Sequence, residues 1–195
     1  MKITCLLGSP RIKGNSSIMA RKFCEILKAS GAEIKYVELN KLIYCGCQAC
    51  DACKKTHYHC VLKDGLAEVL AVVRESDVTV LASPIYWGEV SAQLKAFIDR
   101  TYSYIISDYQ EKIGKVSISR LKPDTKFVMI FAQKAGEDVL ALDDIYPRYK
   151  ALFEMFLGIK DVILICGCNL DKSTDAINNI DLMKKVELAA KNFII

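Results

Sequence analysis

Residues 45–60, CGCQACDACKKTHYHC, place five cysteines and two histidines in sixteen positions. Cys47, Cys50 and Cys53 stand two residues apart from one another, and Cys60 follows after six more. Soft thiolates at such gaps suit an iron–sulfur cluster or zinc. Two-residue gaps let one loop wrap three corners of a cubane, and the later cysteine supplies the fourth. Cys45 leaves a second register open, in which it replaces Cys47. His57 and His59 keep a Cys3His zinc site open. The remaining alternative is that these cysteines carry no metal. The other four, Cys5, Cys24, Cys166 and Cys168, fall in apolar runs and read as core packing. Cys166 and Cys168 would share one strand face.

A second chemical stretch is GSPRIKGNSS, residues 8–17. It carries three hydroxyls, an arginine, a lysine, two glycines and no acidic residue. It leads into a predicted helix, whose N-terminal N–H groups and dipole favour a phosphate. The hydroxyls of Ser9, Ser16 and Ser17 and the amide of Asn15 can donate to phosphate oxygens. The nucleoside-triphosphate loop is disfavoured by spacing: five residues separate Gly8 from Gly14, and Asn15 stands where a lysine is needed. The plain alternative is a turn with Ser or Asn capping the helix. A third stretch, SPIYWGEVSAQLKAFIDR (83–100), sets Tyr86 and the single tryptophan, Trp87, between a proline and a glycine. A flat ring system could lie against them, and Gly88 would let backbone approach it.

These stretches need a scaffold. Apolar runs at 2–8, 33–39, 78–84, 126–133 and 161–168 read as strands. Amphipathic runs at 16–30, 65–77, 91–102, 143–157 and about 175–194 read as helices. Continuous apolar strands alternating with helices imply a parallel sheet covered on both faces. The expected fold is an α/β, flavodoxin-like, doubly wound five-stranded parallel sheet with helices on both faces, in one domain over 1–195. Its ligand belongs at the carboxyl ends of the strands, beside strand one. The loop after strand four, AQKAGED (132–138), with Gln133 and Gly136, should form a third wall. Residues 102–124 are longer than a plain connection; Tyr102, Tyr104 and Tyr109 there would cover a ligand or lie on the surface.

Composition excludes several classes. At 195 residues the chain can bury roughly 70% of its unfolded surface and does not depend on disulfides. A spread net charge of +4, without a dense basic block, argues against nucleic acid or an anionic membrane. No apolar stretch reaches the ~18 residues of a membrane span. The start does not read as a signal peptide, and the expected location is cytoplasmic, where clustered cysteines mean metal or redox chemistry.

Together, GSPRIKGNSS and SPIYWGEVSAQLKAFIDR resemble the FMN-binding loops of the flavodoxin-like NADPH-dependent FMN reductases. The cysteine run between them resembles the compact motif of the iron–sulfur flavoproteins within that superfamily. The resemblance covers roughly residues 1–105. It implies that Ser9, Arg11, Asn15, Ser16 and Ser17 hold the FMN phosphate, and that Pro84, Ile85, Tyr86, Trp87 and Gly88 line the isoalloxazine ring. It also implies a [4Fe–4S] cluster on Cys47, Cys50, Cys53 and Cys60, near the flavin, in a homodimer or homotetramer. Cys45 departs from the family motif, and some members of the superfamily keep these cysteines without a cluster. The expected function is electron transfer between a donor and a small-molecule or protein acceptor. The alternatives are an NAD(P)H-dependent FMN or quinone reductase without a cluster, and a non-catalytic metal-binding sensor. Ferredoxin, a nicotinamide cofactor, a quinone, a nitro compound or oxygen would each be compatible as a redox partner. No acid–base residue is legible.

Overall fold

The computed structural model describes residues 1–55, 59–106, 119–137 and 141–193. Five parallel strands, β1 (Lys2–Leu7), β2 (Glu33–Glu38), β3 (Val78–Tyr86), β5 (Lys126–Ala132) and β6 (Val162–Gly167), lie in the order β2-β1-β3-β5-β6. A two-residue strand, β4 (Glu89–Val90), pairs antiparallel with the tail of β3. The helices are α1 (Asn15–Ala29), α2 (Ala52–Lys55), α3 (Gly65–Arg74), α4 (Ala92–Arg100), α5 (Tyr146–Leu157), α6 (Asp175–Asn178) and α7 (Ile180–Asn192). The expected doubly wound sheet is present, with the short β4 added.

Alternation along each strand divides the core in two. Phe127, Met129 and Phe131 of β5 join Leu6 and Leu81 under α3, α4 and α5. Val128, Ile130 and Ala132 join Ile3, Cys5 and Leu7 under α1 and α7. Both sheet faces are therefore dry, which is why the strands read as unbroken apolar runs. Cys5 and Cys24 are fully buried, as expected of core cysteines.

Two differences from the sequence reading have local causes. The strand expected to stop at Pro84 continues to Tyr86. Ala82 accepts from Gly8 N, so its polar groups, and those of Pro84 two residues on, face the β1 side. β1 ends opposite Ala82, so the missing N–H of Pro84 costs no ladder bond. The helix expected over about 175–194 is split into α6 and α7. Asn179 ends the first and caps the second, its Oδ1 accepting from Leu182 N at 3.0 Å. No helix among the described residues is long and apolar enough to cross a membrane.

Candidate functional sites

The carboxyl edge of the sheet carries a cleft of about 210 Å³. It is lined by Ser9, Arg11, Gly14, Asn15 and Ser16 after β1, by Pro84, Ile85 and Tyr86 of β3, by Ala132 at the end of β5 with Gln133 and Lys134 after it, and by Leu170, Asp171, Lys172 and Ser173 after β6. Four segments distant in sequence meet here because parallel strands all end on one side.

The cleft floor has the features of an anion cradle. Gly14 precedes α1 in an extended conformation, no side chain caps the helix, and its first turn holds no acidic residue. The first N–H groups of α1 therefore have no side-chain acceptor. Ser16 is 1% exposed, and among the described residues its Oγ has no hydrogen-bond partner. A buried hydroxyl left unsatisfied is costly unless a ligand answers it. A Cβ on Gly14 would come within 2.9 Å of Ser9 Oγ and 3.1 Å of the Arg11 carbonyl, so only glycine leaves the cradle open. These features fit the phosphate of a flavin mononucleotide.

Other expected residues have different places. Both ends of the Asn15 amide hold the far wall: Nδ2 donates to Lys172 O at 2.8 Å, and Oδ1 accepts from Ala176 N at 3.0 Å. Ser17 is buried away from the cleft, its Oγ 3.5 Å from the Arg11 carbonyl. Gly136 does not line the cleft; its carbonyl accepts from Gln133 Nε2 at 2.6 Å, which orders that loop. Trp87 and Gly88 form the two-residue turn between β3 and β4, with φ of 50° and 70°. Positive φ at both positions is the pattern of a type I′ hairpin. Trp87 is fully exposed at 105% and Tyr86 half-exposed at 46%. An exposed tryptophan in the left-handed region is strained, and such strain gathers at functional sites. The hairpin is braced from α5, where Arg148 and Tyr149 bind the Glu89 carboxylate at 3.0 and 2.9 Å. Lys134 lies in the AQKAGED loop expected as the third wall but was not itself singled out, and the 170–173 loop was not expected to line the site; its signal was that β6, too, ends at the carboxyl edge.

The cysteine run makes a second site. Cys47, Cys50, Cys53 and Cys60 line one small cavity with Gln48, Asp51, Val61, Leu62, Arg100, Tyr102 and Ser103. Cys45 does not line it. Its N–H donates to Asp64 Oδ2 at 3.3 Å and its thiol lies 3.9 Å from the same oxygen. Ala49 and Asp51, on either side of Cys50, have φ of 51° and 54°, so the loop coils tightly between its thiols. Burial pushes the Cys53 thiol up, with Lys54 opposing. Among the described residues no group of three or more His, Cys, Asp or Glu closes on a metal ion. His57 and Tyr109 lie outside the described residues, as does most of the 102–124 insertion. Tyr102 faces the cysteine cavity and Tyr104 is core, its hydroxyl bonded to Leu70 O at 2.8 Å.

The two sites sit at opposite ends of α4. Its cap, Ser91, donates through Oγ to the Gly8 carbonyl at 2.7 Å, beside the cleft. The chain after β2 then follows the helix: Tyr44 bonds Gln93 O at 2.9 Å, Gly46 packs near Ala96, and Cys45 O accepts from Arg100 at 3.1 Å. Nine helical residues span about 13 Å. Within one chain, the cysteine run is thus set off from the cleft by the length of α4.

The strand order and the cradle define a flavodoxin-like α/β protein. Residues 1–119 match the model of the NADPH-dependent FMN reductases, and the chain belongs to that family of FMN-dependent oxidoreductases. An iron-sulfur flavoprotein of Archaeoglobus fulgidus is 42% identical over 107 residues, covering 53% of this chain and 47% of the relative. A second from that organism is 30% identical over 147 residues, covering 75% and 70%. The chain thus matches about half the length of the first of these relatives. An FMN-dependent NADH-azoreductase of Bacillus anthracis, solved with FMN, superposes with a TM-score of 0.70 at 15% identity over 100% of both chains. An NAD(P)H:quinone oxidoreductase of Methanothermobacter marburgensis gives 0.69 at 18% identity, over 99% and 96%.

Proposed function

We propose that this protein is an electron-transfer flavoprotein with two redox sites, FMN at the carboxyl-edge cleft and a [4Fe–4S] cluster on Cys47, Cys50, Cys53 and Cys60. The observation that carries the reading is the convergence of those four thiols on one cavity while Cys45 is drawn off to Asp64. A single zinc ion would gather its sulfurs to about 4 Å of one another, given Zn–S near 2.3 Å. A cubane spreads them over its corners, and four thiols around one cavity supply the four ligands it needs. When bound, a flavin exchanges electrons in pairs or singly and a cluster exchanges them singly.

The protein's own part is placement. The α1 N-terminus, Ser9, Arg11 and Ser16 hold the phosphate. The cleft is smaller than the ~300–1,000 Å³ of a complete small-molecule site, so it takes the phosphate and sugar end. The ring then lies at the rim, against Ile85, Tyr86 and Trp87. A partner chain would cover that exposed rim, making the working unit a homodimer or homotetramer. Electrons then pass between the cluster and a flavin of the same chain or of a neighbouring chain.

A second reading is a cluster-free NAD(P)H-dependent reductase of quinones or similar acceptors. It is favoured by the whole-chain likeness to the two reductases. Anaerobic purification with flavin, iron and sulfide analysis decides between them. About one FMN and four irons per chain support the two-site reading; FMN without iron after anaerobic reconstitution leaves the second.

A further inference from the structure

Besides thiols, the cysteine cavity is lined by two charged side chains, the exposed Asp51 and the buried Arg100. Arg100 is among the most deeply buried large residues, at 1% exposure. Two of its three nitrogens are committed: Nη1 and Nη2 reach the Asp64 carboxylate at 2.8 and 3.2 Å, and Nη1 also bonds Cys45 O. Its Nε is buried and, among the described residues, has no hydrogen-bond partner. A charged donor left unanswered in a dry interior is among the costlier arrangements a fold can keep. Asp64 does not line the cavity, so the ion pair is a dipole with its positive end toward the thiols. Burial lowers the Arg100 pKa, but the Asp64 hydrogen bond and the neighbouring Cys60 raise it further. Cys60 thus stands beside the guanidinium.

The geometry points to Arg100 as the residue that tunes the cysteine centre, its Nε–H donating to a sulfur of the cluster or of its Cys60 ligand. This rests on the cluster proposed above. One electron added to such a centre makes it more negative. A fixed positive charge and an N–H···S bond stabilise that reduced form more than the oxidised one, which raises the reduction potential. Asp64 holds the guanidinium in place and offsets part of its field. Arg100 and Asp64 therefore act on the potential with opposite signs, which a purely structural ion pair would not do.

The test is potentiometric titration, read by electron paramagnetic resonance, of anaerobically reconstituted wild type, Arg100→Gln, Arg100→Lys and Asp64→Asn. FMN content serves as the folding control. Arg100→Gln should shift the reduction equilibrium about tenfold toward the oxidised form, ~59 mV for one electron. Arg100→Lys should fall between it and wild type, because it keeps the charge without the planar fork. Asp64→Asn should raise the potential. Asparagine can still cap α3 at Leu66 N, as Asp64 does, so this variant decides the matter if Arg100→Gln does not fold. Iron present with the Asp64→Asn potential unchanged or lowered overturns the role of Arg100 alone. No iron in wild type overturns the cluster, and the role with it.

Discussion

The cleft and the cysteine cavity are built in opposite ways. The cleft draws its walls from four segments between Ser9 and Ser173, and its floor is mostly main chain at the start of α1. The cysteine cavity is drawn mainly from residues 47–62, closed by Arg100, Tyr102 and Ser103. The first depends on topology, because only parallel strands ending together bring its loops to one edge. The second depends on local loop geometry and needs the fold only as a backstop at the end of α4. The two should therefore be separable by mutation, each losing its group without the other.

The largest effect expected is at Cys50. Cys50→Ser should remove nearly all iron from anaerobically reconstituted protein and leave FMN at one per chain, measured by iron analysis and flavin absorbance; coupled loss of both would break the separation. Gly14→Val is the converse. Its side chain would fill the cradle against Ser9 and Arg11, and FMN affinity should fall at least tenfold, ~1.4 kcal/mol, with iron retained. Equilibrium binding to flavin-free protein measures it.

The Asp64 pair gives a pH signature confined to the cysteine side. Burial would push the Asp64 carboxyl up, but the Arg100 hydrogen bond and charge and the Cys45 and Leu66 amides outweigh it, holding the group below its usual range. A depressed carboxyl contributes stability that is fully present above its unfolded pKa, about 3.9, and lost as pH falls toward the folded value. Thermal melts of Asp64→Asn should thus lie below wild type at pH 7, and the gap should close as pH falls through the lowered folded value. A constant gap would exclude this linkage. The smallest effect is at the cleft rim. Trp87→Gly relieves a left-handed residue worth about 1 kcal/mol without losing buried surface. Monomeric, flavin-free protein should melt ~2–4 °C higher while flavin retention drops.

The same contrast governs what the sequence discloses. Spacing alone singled out the cysteines, because their ligand geometry is local, and Asp64 then separates Cys45 from Cys47. Their distance from the cleft was not legible, since it depends on Tyr44, Gly46 and Arg100 tracking α4. In the cleft the 8–17 loop was legible through its hydroxyls and its helix. AQKAGED was legible as a third wall, though not Lys134 in it; residues 170–173 were not, because nothing in NLDKST shows that the chain after β6 folds back to Asn15. The buried state of Arg100 was equally silent: in KAFIDR it reads as a surface charge at a helix end. The strands were legible because both sheet faces are apolar. The break at Asn179 was not, as capping competes with an otherwise helical pattern.

The central claim is that the start of α1 holds the phosphate of FMN through the unpartnered Ser16 hydroxyl. It is tested by titrating flavin-free wild type and Ser16→Ala with FMN and with riboflavin, which lacks the phosphate. A hydrogen bond to a charged group is worth about 1.5–3 kcal/mol. Ser16→Ala should therefore weaken FMN binding tenfold or more, leave riboflavin binding unchanged, and keep or raise the melting temperature, since it removes a buried hydroxyl with no partner in the described structure. Equal weakening of FMN and riboflavin, or none for either, would contradict the account.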